Sequence, residues 1–239
     1  MIGPNPRHGG VLGTEDWRFH AIEELGAGTA SLASTERMTS GSIVSFGLPS
    51  ASALFLNMAM TLHRRRRSVD IPALFNLHPA PQGVWPDNHT PLFDYLELAA
   101  SEIIFSYIAI ESAANELIPS DYVHVVPKSR GRDQERLSKT DIERRVPLPE
   151  KLKRVLPDAL KKENPAGGRT WENFVALQRL RDRLIHLKST DYKASGPEDQ
   201  TIWGSLLNLG PIRYPWVAAE LIGHFYNNDR RWFSLIPND

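Results

Sequence analysis

The chain has no cysteine, and that absence removes structural disulfides, thiolate nucleophiles and cysteine-ligated zinc from consideration. It also lacks an excess of charge of either sign. With 28 Lys and Arg against 28 Asp and Glu, no global positive field draws in a polyanion, so any nucleic-acid contact must come from a local patch. The opening residues Met1-Ile2-Gly3-Pro4-Asn5-Pro6 carry no apolar run behind a basic start. They do not read as a secretory signal, and a cytoplasmic protein is the expectation. Several common catalytic motifs are missing as well: there is no Gly-x-Ser-x-Gly elbow and no phosphate-binding loop. Gly26-Ala27-Gly28-Thr29-Ala30-Ser31 has only the outline of a dinucleotide loop, since no convincing strand precedes it and no βαβ unit surrounds it. His8, His20, His63, His78, His89, His124 and His224 show no metal-ligand spacing, and no metal site is expected.

What is present suffices for a substantial core, because 41% of the 239 residues are hydrophobic and only 23% are charged. Residues 42–62 contain no charge and precede His63-Arg64-Arg65-Arg66-Arg67, the order of a membrane span with a positive flank. Gly47, Pro49, Ser45, Ser50, Ser52 and Asn57 argue for a buried segment instead, because lipid offers their polar groups no partners. No membrane contact is expected.

Residues 1–40 show no sustained period and read as an irregular arm. After Pro49, the positions of Ala51, Leu54, Phe55, Met58, Met60 and Leu62 predict a helix over 50–66 that ends in the arginines. Pro72, Pro79, Pro81 and Pro86 mark 71–89 as a linker. These observations divide the chain into an N-terminal extension, 1–89, and a helical domain, 90–239.

A long helix opens that domain, with Thr90 as expected N-cap, Pro91 in the first turn and Asp94 near the positive end of the dipole. Leu92, Leu96, Ala99, Ile103, Tyr107, Ile110, Ala114 and Leu117 recur at helical spacing until Pro119. Its centre, 103–110, is apolar on nearly every side, which requires either central burial or a subunit interface. Residues 121–145 look like a mobile charged connection, and no strand pair is expected in this part of the chain. Pro149 opens a short helix that Pro157 should close. A helix capped by Thr170 presents Phe174, Leu177, Leu180, Leu184 and Leu187 in one stripe and should dock on the long helix. Two more helices are predicted, near 199–209 and 215–227. The expected fold is mainly α, an antiparallel helical bundle of four to five core helices.

The chemistry-bearing segment is Arg181-Asp182-Arg183-Leu184-Ile185-His186-Leu187-Lys188. On a helical wheel Arg181 falls at the edge of the apolar stripe, where a guanidinium needs a partner, and Glu111 and Glu116 of the long helix are the expected suppliers. Asp182, one turn before His186, is placed to orient its imidazole. Structural roles compete with functional ones here: Arg181 could be one half of an ion pair, and His186 a residue facing a helix C-terminal dipole.

Arg181-Asp182-x-x-x-His186, behind Trp171, Phe174 and Leu177, resembles the Arg-polar-x(3–5)-His motif of the HEPN (higher eukaryotes and prokaryotes nucleotide-binding) superfamily. Ile110-Glu111-Ser112-Ala113-Ala114-Asn115-Glu116 is similar to the Ile-Glu-x-x-x-Asn-Glu of that family's long first helix, and Leu148-Pro149-Glu150-Lys151-Leu152 with Val155-Leu156-Pro157 to its spacer. The likeness covers about 91–190. It implies a HEPN-like bundle and a metal-independent endoribonuclease without cofactor, in which an RNA 2′-hydroxyl attacks the adjacent phosphate. Arg181 would stabilise the phosphorane and His186 would transfer protons, with Glu111 and Asn115 supporting. Asp182 stands where the family more often has Asn, which adds a negative charge near the phosphate. Lys188, Lys128, Arg130 and Arg132 are the candidate RNA-phosphate contacts. The likeness further implies a homodimer with a composite site and a toxin or antiviral-defence role with a cognate antitoxin as a partner class. The alternative is a catalytically inactive bundle that binds a partner protein or a nucleotide.

Overall fold

A computed structural model describes residues 11–12, 16–18, 21–25, 28–31, 33–75, 86–127, 134–226 and 236. In chain order these form strands β1 (Val11–Leu12), β2 (Ala21–Leu25), β3 (Gly28–Ser31), β4 (Ala33–Arg37) and β5 (Ile43–Gly47), then helices α1 (Ala51–Arg67), α2 (Ile71–Leu74) and α3 (Thr90–Leu117). Strands β6 (His124–Pro127) and β7 (Gln134–Leu137) precede α4 (Lys139–Arg145), α5 (Leu148–Glu150), a π-helical turn (Lys151–Val155) and α6 (Leu156–Leu160). The chain then forms α7 (Arg169–Ile185), a 3-10 turn (Ser189–Tyr192), α8 (Ile202–Leu207) and α9 (Tyr214–Phe225). The described residues are mainly helical, as expected, and no helix among them is long and apolar enough to cross a membrane.

The first forty residues depart from the irregular arm predicted for them. β1, β3 and β2 pair antiparallel in that order, and β4 and β5 form a hairpin from Ala33↔Gly47 to Arg37↔Ile43. Gly41 takes a positive φ of 87° in its turn, which a side chain would oppose. The hairpin is mostly exposed on both faces, so its sequence has no burial to impose the alternation by which a strand is recognised. A second correction falls on 121–145. β6 and β7 pair antiparallel there, and Ser138 and Asp141 close a reciprocal capping box on α4. Part of the expected linker is also helical, since Asp70 caps α2 and Pro72 sits in its first turn, where a missing N–H is harmless; residues 76–85 lie outside the described ones.

Pro157 does not end its helix, contrary to expectation. The Leu156 N–H reaches back five residues to the Lys151 carbonyl, closing a π turn, and the wider ring lets the chain carry a proline without breaking. Thr170 lies inside α7 instead of capping it: the N-cap is Gly168, and the Thr170 hydroxyl donates to Glu220 at 2.7 Å.

The chain packs as two compact units, one of Met1–Phe55, Glu111–Asn164 and Ile222–Asp239, the other of Leu56–Ile110 and Pro165–Leu221. Each draws on both sides of residue 89, so the units do not follow the boundary expected there. In the first unit Glu116 serves the start of α1, accepting from the Ser52 hydroxyl at 2.8 Å and the Ser52 amide at 3.3 Å. A carboxylate there satisfies orphan donors and complements the dipole. The Lys139 ammonium donates to the Ile118 carbonyl just past the end of α3, at 2.6 Å.

The second unit holds the apolar centre of α3, where Ile103, Tyr107, Ala109 and Ile110 are buried. Tyr107 stacks on Phe174 with ring centroids 6.3 Å apart, so α7 docks on α3 as predicted. The same unit contains a buried charge cluster. Glu102, 0% exposed, accepts from the Arg66 Nε at 2.7 Å and meets the His63 Nδ1 at 2.9 Å. Tyr95 extends the cluster, 3.4 Å from the Arg66 guanidinium, and its hydroxyl donates a hydrogen bond to the Leu206 carbonyl at 3.2 Å.

Candidate functional site

α7 ends at Ile185 because His186 leaves helical geometry at φ −121°, ψ 68°, while its amide still donates to the Asp182 carbonyl at 2.9 Å. Arg181 lies one turn before this end. Its side chain is 28% exposed, its guanidinium carbon sits 4.6 Å from the centroid of the Tyr107 ring, and its Nη1 donates to Asp182 at 3.0 Å. A guanidinium over an aromatic face is held electrostatically while its donors stay available at the rim. Among the described residues the carboxylate that meets Arg181 is Asp182, while Glu111 lies near the Lys151 ammonium and Glu116 serves the first turn of α1.

Lys151 is 1% exposed. Its ammonium donates to Asn115 Oδ1 at 2.8 Å and to the Glu143 carbonyl at 3.1 Å. Burial lowers its pKa, and the Glu111 and Glu143 carboxylates oppose that shift. Glu111 and Asn115, the predicted supports of the arginine, therefore support a buried lysine.

The Asp182 carboxylate is likewise turned to Arg181 and not, as predicted, to His186. His186 is exposed, and its imidazole makes no hydrogen bond among the described residues. Arg181 and His186 are five residues apart, so an ideal helix would aim them about 140° apart. The structure places both at the accessible end of α7 without joining them.

The best-ordered chemistry at this end was not predicted. Asp191 is buried and accepts from Arg183 twice, at 2.8 and 2.7 Å, and from the Lys188 and Ile202 amides at 2.8 Å each. The Arg183 fork, helped by the two amides, holds its carboxyl well below the usual carboxylate range. Its carbonyl accepts from the Trp203 indole at 3.0 Å. Asp191 thus fixes α7, the 3-10 turn and α8 to one another. Lys188 supplies its amide to that hub, while its side chain remains exposed. Lys128, Arg130 and Arg132 lie outside the described residues.

Beside the hub, α7 and α8 enclose an open groove of about 620 Å³. Arg179, Leu180, Asp199, Asn208, Leu209 and Tyr214 contribute to its walls. Burial, reinforced by Glu102, raises the Tyr214 pKa. Among the described residues no group of three or more His, Asp or Glu is placed to hold a metal ion. Comparison with family models, curated proteins and solved structures returns no match.

Proposed function

We propose that the end of α7 is the catalytic edge of an RNA-cleaving enzyme of the HEPN type. The observation that carries this reading is the state of its two named side chains. Arg181 is fixed on the Tyr107 ring yet partly exposed, and His186, just past the last turn, is open to solvent. Proton transfer and charge stabilisation suffice for cleavage by 2′-hydroxyl attack. A base takes the 2′ proton, the oxygen bonds to phosphorus, and an acid returns a proton to the departing 5′ oxygen, leaving a 2′,3′-cyclic phosphate and a 5′-hydroxyl. Imidazole is suited to either proton step near neutral pH, and a guanidinium fork to the phosphorane oxygens.

One chain offers one such histidine, so the reading includes a homodimer in which two α7 ends face one substrate. A toxin or defence role, with a cognate antitoxin, follows from the same resemblance. The rival reading is a catalytically silent bundle that binds a partner protein or nucleotide, and the Arg181–Asp182 contact at 3.0 Å favours it, because that carboxylate takes one guanidinium donor and sets a negative charge where a phosphate would bind.

The test incubates purified protein with single-stranded RNA in EDTA, alongside Arg181→Ala and His186→Ala. Cleavage to cyclic-phosphate ends by the unaltered protein alone is expected. Equal activity in all three would end the enzymatic reading, and light scattering that gives a monomer across micromolar concentrations would remove the composite site.

A further inference from the structure

The groove between α7 and α8 has no part in the proton chemistry above, yet it carries several features of a ligand site. Its volume, about 620 Å³, lies within the range of small-molecule clefts. Arg179 on its wall has no hydrogen-bond or ion-pair partner among the described residues, whereas Arg183, one turn on along the same helix face, is neutralised by Asp191. Tyr214 is only 3% exposed, and its hydroxyl, which makes no hydrogen bond among the described residues, is not sealed from solvent. That hydroxyl feels the buried Glu102 carboxylate, so Tyr214 contributes groove wall and not a bond to the ligand. Asp199 uses one carboxylate oxygen on the Gly196 amide, at 2.8 Å, and keeps the other without a partner among the described residues. The walls thus offer a cation, an anion and the apolar faces of Leu180 and Leu209.

Two exposed aromatic rings stand next to this groove in the chain. Trp203 of α8 is tied by its indole N–H to the Asp191 carbonyl and remains 39% exposed, and Tyr192, the residue after Asp191, is 72% exposed. A tethered but uncovered ring is a stacking platform, and base stacking on such rings is a main source of affinity for single strands. Arg179 precedes His186, the residue that follows the last turn of α7, by seven residues, about 10 Å at the rise of a helix.

We infer that the α7–α8 groove is the substrate-recognition subsite of the proposed ribonuclease, taking one nucleotide unit of single-stranded RNA with its phosphate on Arg179 and its base towards Asp199, while Tyr192 and Trp203 stack the neighbouring bases. The inference rests on the ribonuclease reading for the word substrate; the binding itself does not. The free Asp199 oxygen accepts a hydrogen bond from an exocyclic amine, so the bases that carry one, adenine, cytosine and guanine, are favoured over uracil.

The experiment measures binding of 2′-O-methyl oligoadenylate, oligocytidylate and oligouridylate, which cannot be cleaved by 2′-hydroxyl attack, to the full chain by fluorescence anisotropy. Arg179→Ala and Tyr192→Ala are each expected to weaken oligoadenylate binding roughly tenfold. Asp199→Asn should alter the preference against uridylate, and Lys161→Ala, remote in sequence, should change nothing. Because Tyr192 is so exposed, its replacement leaves the fold intact and keeps the test decisive even if an α7 variant is damaged. Binding by Arg179→Ala and Tyr192→Ala equal to that of the unaltered chain overturns the inference. Cleavage by the unaltered protein together with that result leaves the catalytic reading standing alone. Groove-dependent binding without any cleavage leaves the groove standing and the catalytic reading fallen.

Discussion

The second unit handles ionised side chains in two opposite ways. Around Glu102 the charges are removed from water and each finds its counterpart: Arg66 takes one carboxylate oxygen, His63 the other, and Tyr95 extends the arginine's contacts to a backbone carbonyl. At the end of α7, Arg179 has no partner among the described residues, His186 is exposed, and Arg181 keeps only its neighbour Asp182 and the Tyr107 face. Burying a charge is costly unless its partners are present throughout the life of the fold. A charge left at the surface with donors unused carries little of that structural obligation. On the proposed reading the first cluster serves stability and the second recognition.

The sharpest way to break that assignment is Glu102→Ala, which leaves Arg66 buried without its anion. A loss of about 3–5 kcal/mol in urea unfolding is expected, with Glu102→Gln losing less because it can still accept from Arg66. A loss under about 1 kcal/mol would mean that the buried cluster does not hold this unit together.

Next in size is Arg181→Ala, for which a fall in RNA cleavage of about 100- to 1000-fold is expected with less than about 1 kcal/mol of destabilisation, since both of its contacts are at a partly exposed site. Equal losses in activity and stability would place Arg181 with Glu102 on the structural side.

Asp191 sharpens the comparison through pH. Its carboxyl titrates lower in the folded chain than the ordinary value of 3.8, so its contribution is complete above that value and is lost as the pH falls below it towards the folded-state titration. Amide exchange at Lys188 and Ile202 should therefore accelerate in that acid window. In Asp191→Asn the two amides should exchange on the order of tenfold faster at neutral pH, with no further acceleration from this group in acid. An unchanged acid profile would show that the hub does not depend on this carboxylate. The smallest effect is reserved for Asp182→Asn, which removes the charge held against Arg181. Cleavage should rise roughly threefold, and a fall would indicate that Asp182 positions the guanidinium instead of competing for it.

The helical part was legible because burial leaves a period. α1, α3 and α7 lie where their apolar stripes predicted, and the contact of α7 with α3 follows from Phe174 and Tyr107 on those stripes. The strands were not legible: β4 reads Ala-Ser-Thr-Glu-Arg and is largely exposed, so its pairing is written in backbone hydrogen bonds that no side-chain pattern reports. At the candidate site Arg181 and His186 lie at the end of α7, and Asp182 meets Arg181 where the helical spacing predicts an approach to His186. The helical pattern sets Glu111 against the nearest arginine and the family likeness adds Asn115, whereas the cation beside them, Lys151, arrives from a π turn whose phase a 3.6-residue wheel does not follow. Asp191 gave no warning, since a lone aspartate after a helix end is ordinary until Arg183 and two amides converge on it.

That π turn has a further consequence. By reaching five residues back instead of four, it takes up one residue more than an α turn, and it brings Lys151, Leu152, Val155 and Leu156 all inward. Inserting one further residue here would exceed what the wide turn takes up and swing everything after it by about 100°, carrying Leu156 off its inward-facing side. The constraint on this stretch is thus a matter of counting: it tolerates a change of side chain more readily than a change of length.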